Sequence, residues 1–274
     1  MNSLIVPIDF SEIAKNALLY AIEFARQTKA KVVVLHVAKK NIFSGLLSNS
    51  NEISSEQAEV KILDLKRVLE PKIQGVQVDF MIKEGGFSQV LEDIVEDEEA
   101  EMIIMGTRGE SKVRRVIWGS NTLDVIDKVD CPLLVVPENF SFKSINRIIY
   151  ATDFKFLEKF TLNTLKKIAL AFDSEVLITN VITERDKRRY SKDEQKEIRR
   201  ENKMLSGVRH EFKRVYRSSV VSGINYYIEK KKDIDLITLI PRKHNSLYEY
   251  LFKSSTTKEI ALHPELPVLV LPDQ

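Results

Sequence analysis

The apolar positions along this chain follow two periods. Short unbroken runs, "SLIVPI" (3–8), "KVVVLHV" (31–37), "VQVDFMI" (76–82), "EMIIM" (101–105) and "PLLVV" (132–136), are too short for helices and rich in β-formers, so they predict strands. Between them, apolar residues recur at helical spacing. Ile13, Ala17, Tyr20, Ala21 and Phe24 mark one helix, with Ser11 placed to cap it, and Ala58, Ile62, Leu65 and Leu69 mark a second. "FSQVLEDIVEDEE" and "SNTLDVIDKV" supply two more. The resulting order is β-α-β-α-β-α-β-α-β. Fully apolar strands separated by amphipathic helices call for a parallel sheet covered on both faces. In such sheets ligands bind beyond the C-terminal strand ends, where the strand order reverses. With the order 3-2-1-4-5, that point lies between the first and fourth strands, whose C-terminal ends carry Asp9 and Gly106.

The pattern is then written a second time. Residues 4–37 align without gaps on 148–181, with Ile5/Ile149, Asp9/Asp153, Phe10/Phe154, Leu18/Leu162, Ala25/Ala169, Val32/Val176 and Val37/Val181 identical. "CPLLVVP" (131–137) returns as "LPVLVLP" (266–272) at a smaller offset, so the second copy is shorter in its middle. Two homologous domains are expected, 1–140 and 141–274, meeting near 138–144.

Charge separates the copies. Residues 1–140 hold 16 basic against 22 acidic side chains and residues 141–274 hold 26 against 18, although the whole chain is only +2. Much of the positive charge lies in 184–203, interleaved with acids as on a solvated helix face. No apolar run reaches the ~18 residues that a membrane span needs, and the start lacks a secretory pattern, so a cytoplasmic protein with no membrane contact is expected. One cysteine, Cys131, excludes an internal disulfide, and there is no Cys/His ligand cluster for a metal.

Three of only 9 glycines fall in "MGTRGESKVRRVIWGSN" (105–121), as Gly106-x2-Gly109-x9-Gly119-Ser120. This is neither GxGxxG nor a Walker A loop. A glycine turn followed by a helix start exposes unpaired N–H donors and a partial positive charge, which suits a phosphate chain. Turns and a Ser120 N-cap would equally account for the same residues. No GxSxG motif or Ser/His/Asp constellation accompanies them, and His36 reads as a packed residue at a strand end.

This glycine pattern, with "VPIDFS" after the first strand, "LHV" in the second and "CPLLVVP" at the close, closely resembles the universal stress protein family over both halves. The resemblance implies two tandem flavodoxin-like, adenine-nucleotide α-hydrolase-like domains, each a five-stranded parallel sheet. It implies bound ATP, with ADP or AMP left open, and magnesium only alongside the nucleotide. Asp9 and the main chain of Val37 would contact adenine, Gly106 and Gly109 would shape the ribose and phosphate loop, and Gly119, Ser120 and Asn121 would hold the phosphates. Lys112, Arg114 and Arg115 lie in the connecting segment, and the family assigns them nothing. The last strands would pair, 133–136 with 268–271, as an intramolecular pseudo-dimer, leaving a homodimer open.

The second copy departs from the motif. Gly106 falls opposite Ile240 or Pro241, Gly109 opposite Lys243 or His244, and Gly119 opposite Lys253 or Ser254. One nucleotide per chain is therefore expected, in a regulatory protein with slow or absent hydrolysis, an unidentified protein partner and no nucleic acid. The rival expectation is an adapter that binds a protein or lipid through the basic second copy without any nucleotide.

Overall fold

A computed structural model describes residues 1–38, 53–109, 116–117, 120–152, 159–182, 194–231, 233–240 and 266–272. It divides into two compact units, residues 1–106 with 119–142, and residues 143–274 with 107–118.

The first repeat runs β1 (Ser3–Pro7), α1 (Glu12–Thr28), β2 (Lys31–Ala38), α2 (Ser55–Leu69), β3 (Val78–Glu84), α3 (Phe87–Asp97), β4 (Ala100–Gly109), β5 (Val116–Ile117), α4 (Ser120–Lys128) and β6 (Leu133–Pro137). Its sheet order is β3-β2-β1-β4-β6, which is the 3-2-1-4-5 arrangement, and β1 pairs in parallel with both β2 and β4. Local signals set the helix starts. Ser11 takes the N-cap of α1, its side chain accepting the Ala14 N–H, and Ser54 with Gln57 forms a full capping box on α2. The strands β1 and β6 are buried along their whole length, as two-sided coverage requires.

The second repeat runs β7 (Arg147–Ala151), α5 (Lys159–Phe172), β8 (Glu175–Ile182), α6 (Glu194–Met204), β9 (Arg209–Tyr216), α7 (Val220–Lys231), β10 (Leu236–Leu239) and β11 (Val268–Val270). Its strands follow the same order, β9-β8-β7-β10-β11, with every pairing recorded between them parallel.

Register removes an ambiguity that the sequences alone leave. Leu4 pairs with Met102, and its repeat equivalent Ile148 pairs with Leu236. Met102 thus corresponds to Leu236, which puts Ile240 opposite Gly106 and aligns Pro241 with Thr107. The offset between the copies is one residue larger at their last strands, so the positions opposite Gly109 (Lys243 or His244) and Gly119 (Lys253 or Ser254) stay open; they lie outside the described residues, as does Asp153.

The fourth strand also differs from its sequence reading. A strand over 101–105 followed by a glycine turn is expected, yet β4 continues through Gly106 to Gly109 and pairs antiparallel with β5, Arg108 opposite Ile117 and Gly109 opposite Val116. Periodicity does not register a two-residue strand, and glycine reads as a breaker by default.

Candidate functional site

The first repeat reverses strand order between β1 and β4, so a ligand is expected beyond the ends of these strands. The chain leaves β1 sharply there. Asp9 is exposed and its Oδ1 accepts the Ser11 N–H at 2.9 Å, a local turn that delivers Ser11 to the cap of α1. Asp9 therefore has a structural use beside any ligand contact. Phe10 takes φ 65°, a left-handed conformation uncommon for a non-glycine residue, and lays its ring 4.8 Å from the ring of His36, with Lys61 Nζ 5.4 Å from its centroid.

His36 is buried and its Nδ1 lies 2.7 Å from the Ile8 carbonyl oxygen. A carbonyl only accepts, so Nδ1 carries the proton and donates. The second repeat solves the same problem with another side chain, Asn180 Nδ2 donating to the Thr152 carbonyl at 2.9 Å. Asn180 aligns with His36 and Thr152 with Ile8. In both repeats a side-chain donor near the end of the second strand fastens the carbonyl where the first strand ends. The aligned pair His36/Asn180, two residue types able to donate from a short side chain, is the sequence signal that identifies this role.

That fastening matters because of what happens one residue later. Ile8 N–H donates to the Leu35 carbonyl at 2.8 Å, so the main-chain groups of Leu35 face β1. Main-chain groups alternate sides along a strand, so those of His36 and Ala38 face β3, as the bond from Gly85 N–H to the Ala38 carbonyl shows. Those of Val37 face back toward β1. The ladder with β1 stops at Pro7–Leu35, and the chain has already turned away through Asp9 and Phe10. Val37 thus presents one N–H and one C=O at the strand switch point with no ladder partner on that side, a donor and acceptor pair of the kind that reads the edge of a flat heterocycle.

Gly106 answers part of the question its sequence raises. Its φ is not positive. A Cβ placed on it would lie 2.6 Å from Ile13 Cγ2 and 2.6 Å from the Ile13 carbonyl oxygen, so what comes close to this glycine is the first turn of α1. Gly109 is the last residue of β4, Ser120 the first of α4, and Asn121 is exposed in the same first turn. Gly119, Lys112, Arg114 and Arg115 lie outside the described residues. The structure therefore gathers Asp9, Val37 and Gly106 at one end of the sheet.

Among the described residues, two charge clusters away from this end of the sheet are internally paired. At the N-terminal strand ends of the second unit a cavity of about 330 Å³ is lined by Arg147, Glu175, Asp233 and Asp235 among others. Arg147 pairs there with Glu175 at 2.8 Å and with Asp233, while Asp235 accepts the Asn146 and Arg147 N–H groups. In the first unit Lys31 sits between Glu98 at 2.6 Å and Asp79 at 3.1 Å. The hydrogen bond to Glu98 is the main cause that raises its pKa. Cys131 is buried, and burial pushes its thiol up to about 12, which fits a packed core residue rather than a nucleophile. Among the described residues no group of three or more His, Cys, Asp or Glu is placed to hold a metal ion, and no helix is long and apolar enough to cross a membrane.

Comparison with known proteins agrees with this architecture. Residues 1–137 match the model of the universal stress protein family. Universal stress protein MJ0577 of Methanocaldococcus jannaschii is 33% identical over 154 residues, covering 49% of this chain and 94% of the relative. Universal stress protein MJ0531 of the same organism is 28% identical over 140 residues, covering 49% and 81%. A solved universal stress protein from Archaeoglobus fulgidus superposes over 98% of both chains with a TM-score of 0.72 at 19% identity, a likeness of fold.

Proposed function

This chain belongs to the universal stress protein family, and we propose that it is a regulatory member that binds one adenine nucleotide, ATP in the first instance, in its first repeat. The observation that carries the reading is the unladdered N–H and C=O of Val37 at the switch point, held in place by the bond from His36 to Ile8. An adenine edge offers the complementary acceptor and donor. Asp9 follows β1 at the same end of the sheet, and in this reading Gly106, Gly109, Gly119, Ser120 and Asn121, from β4 to the start of α4, would supply the anion-binding end of the site.

The second repeat supports a count of one. Ile240 carries a side chain opposite Gly106, and neither of the other two positions holds a glycine in either alignment, Lys243 or His244 opposite Gly109 and Lys253 or Ser254 opposite Gly119. Hydrolysis needs a positioned water and charge neutralisation at the terminal phosphate. Asp9, at the base end, serves neither, so the nucleotide acts by favouring one conformation or partner surface over another, and magnesium enters only with it.

The test is to release whatever the freshly purified chain carries, identify it by chromatography and quantify it per chain, then titrate stripped protein with Mg-ATP. About one adenine nucleotide per chain, lost in Gly119→Val, is the expected result. Saturation at two per chain refutes the assignment to the first repeat. An empty chain that also fails to bind Mg-ATP refutes the nucleotide reading and favours an adapter.

A further inference from the structure

Helix α2 buries Ala58, Ile62, Leu65 and Leu69 against its own sheet, and those four positions account for its core face. The opposite face is not polar. Val60 is 61% exposed and Leu63 56% exposed; Val68, 64% exposed, lies about 100° around the helix from Arg67 and off this face, and most of the remaining exposed residues are charged. Together with Glu56 and Arg67 these residues are spaced 4-3-4, so all four fall on one stripe along the helix. The stripe reads acid, apolar, apolar, base from the N-terminal to the C-terminal end.

Such a stripe is complementary to itself when reversed. Val60 and Leu63 have the same midpoint in the sequence as Glu56 and Arg67. A two-fold axis at that level therefore sets Val60 against Leu63 of the other copy and Glu56 against Arg67 of the other copy, each contact occurring twice. Antiparallel packing also sets the acidic first turn of one helix beside the basic last turn of the other, which suits both helix dipoles. Within one helix Glu56 and Arg67 stand ~16 Å apart along the axis and cannot pair. Arg67 lies 3.4 Å from Asp64 in its own chain, but both side chains are largely exposed, and such a pair gives way readily.

We infer that the exposed stripe Glu56–Val60–Leu63–Arg67 of α2 is a self-association surface, on which a second copy of this chain docks antiparallel. Two apolar layers and two ion pairs bury less than the ~1,200 Å² of a standard stable interface, so the dimer is a weak one, forming in roughly the 0.1–1 mM range. This does not depend on nucleotide binding.

Sedimentation equilibrium of the full chain, from about 10 μM to about 2 mM, tests it. The wild type is expected to dimerise across this range, Leu63→Glu to remain monomeric, and Glu56→Arg or Arg67→Glu each to weaken association at least fivefold. The double variant Glu56→Arg/Arg67→Glu restores it, because reversing both charges recreates the same pairs. Leu63 is exposed, so its variant should fold, and unchanged circular dichroism verifies this. A monomeric wild type, a Leu63→Glu chain that associates as well as wild type, or a double variant no better than the single ones overturns the inference.

Discussion

Alanine at Gly106 isolates the contact that makes this glycine necessary. The added Cβ would sit 2.6 Å from the Ile13 carbonyl oxygen, whereas ordinary contact begins at 3.4 Å, a shortfall of about 0.8 Å. Ile13 Cγ2, also at 2.6 Å, can rotate away, but the carbonyl belongs to the first turn of α1 and moves only if that turn moves. Overpacking of this kind costs about 1–3 kcal/mol. Against it, alanine narrows the unfolded ensemble and returns ~0.4–1 kcal/mol. The two ranges leave about 0–2.6 kcal/mol, and because the clash is with backbone the expectation lies in the upper half, a loss of roughly 1–2.5 kcal/mol, read as a lower urea midpoint at unchanged m-value. Ile13→Ala added to Gly106→Ala should recover little of the loss, since the carbonyl stays where it was. A Gly106→Ala chain as stable as wild type would refute the steric account and return the glycine to the ligand alone. Full rescue by Ile13→Ala would show instead that the side chain, not the backbone, sets the limit.

Two further outcomes can be read by equilibrium unfolding. His36→Asn should be nearly neutral, because Asn180 already performs the same donation in the second repeat, whereas His36→Leu strands the Ile8 carbonyl and should destabilise by about 1–3 kcal/mol; equal stability of the two variants would remove the fastening role. Lys31→Met should lose up to about 1 kcal/mol, from a pair still a quarter exposed. Its pKa is raised in the fold, so the contribution is complete below pH 10.5, the ordinary lysine value, and fades as pH climbs through the folded value. A difference between wild type and Lys31→Met that widens with alkalinity contradicts that sign.

The family pattern was legible at the level of residues. The five strands and four helices expected of the first repeat are all present, close to where apolar period and capping residues place them, and the order of the five main strands is the one expected for such alternating elements. The site was legible in outline only. Asp9 and Gly106 could be set at the switch point because both terminate apolar runs. The persistence of an aspartate at 153, in the copy that lost its glycines, points to a turn-organising use of Asp9, and the bond from the Ser11 N–H bears it out; nothing along the chain shows that Ile13 is the neighbour of Gly106, or that β4 runs on to Gly109 and meets β5. Those facts depend on residues brought together from different elements, which periodicity cannot register.

Repetition, element order and the loss of glycines from the second copy were determined by the sequence by itself, since each is a property of residue type at a position and of the local hydrogen-bonding rules that residue type obeys. Only the tertiary structure decided which Val37 groups are left without a strand partner, because that depends on where β1 turns away from β2. It also decided that Ile240 rather than Pro241 stands opposite Gly106, because register is set by hydrogen bonds between strands far apart in the chain. In α2 the helical spacing already singled out Ala58, Ile62, Leu65 and Leu69 as one face, and the structure buries those four; what only the packed helix decides is that Val60 and Leu63 are left facing water.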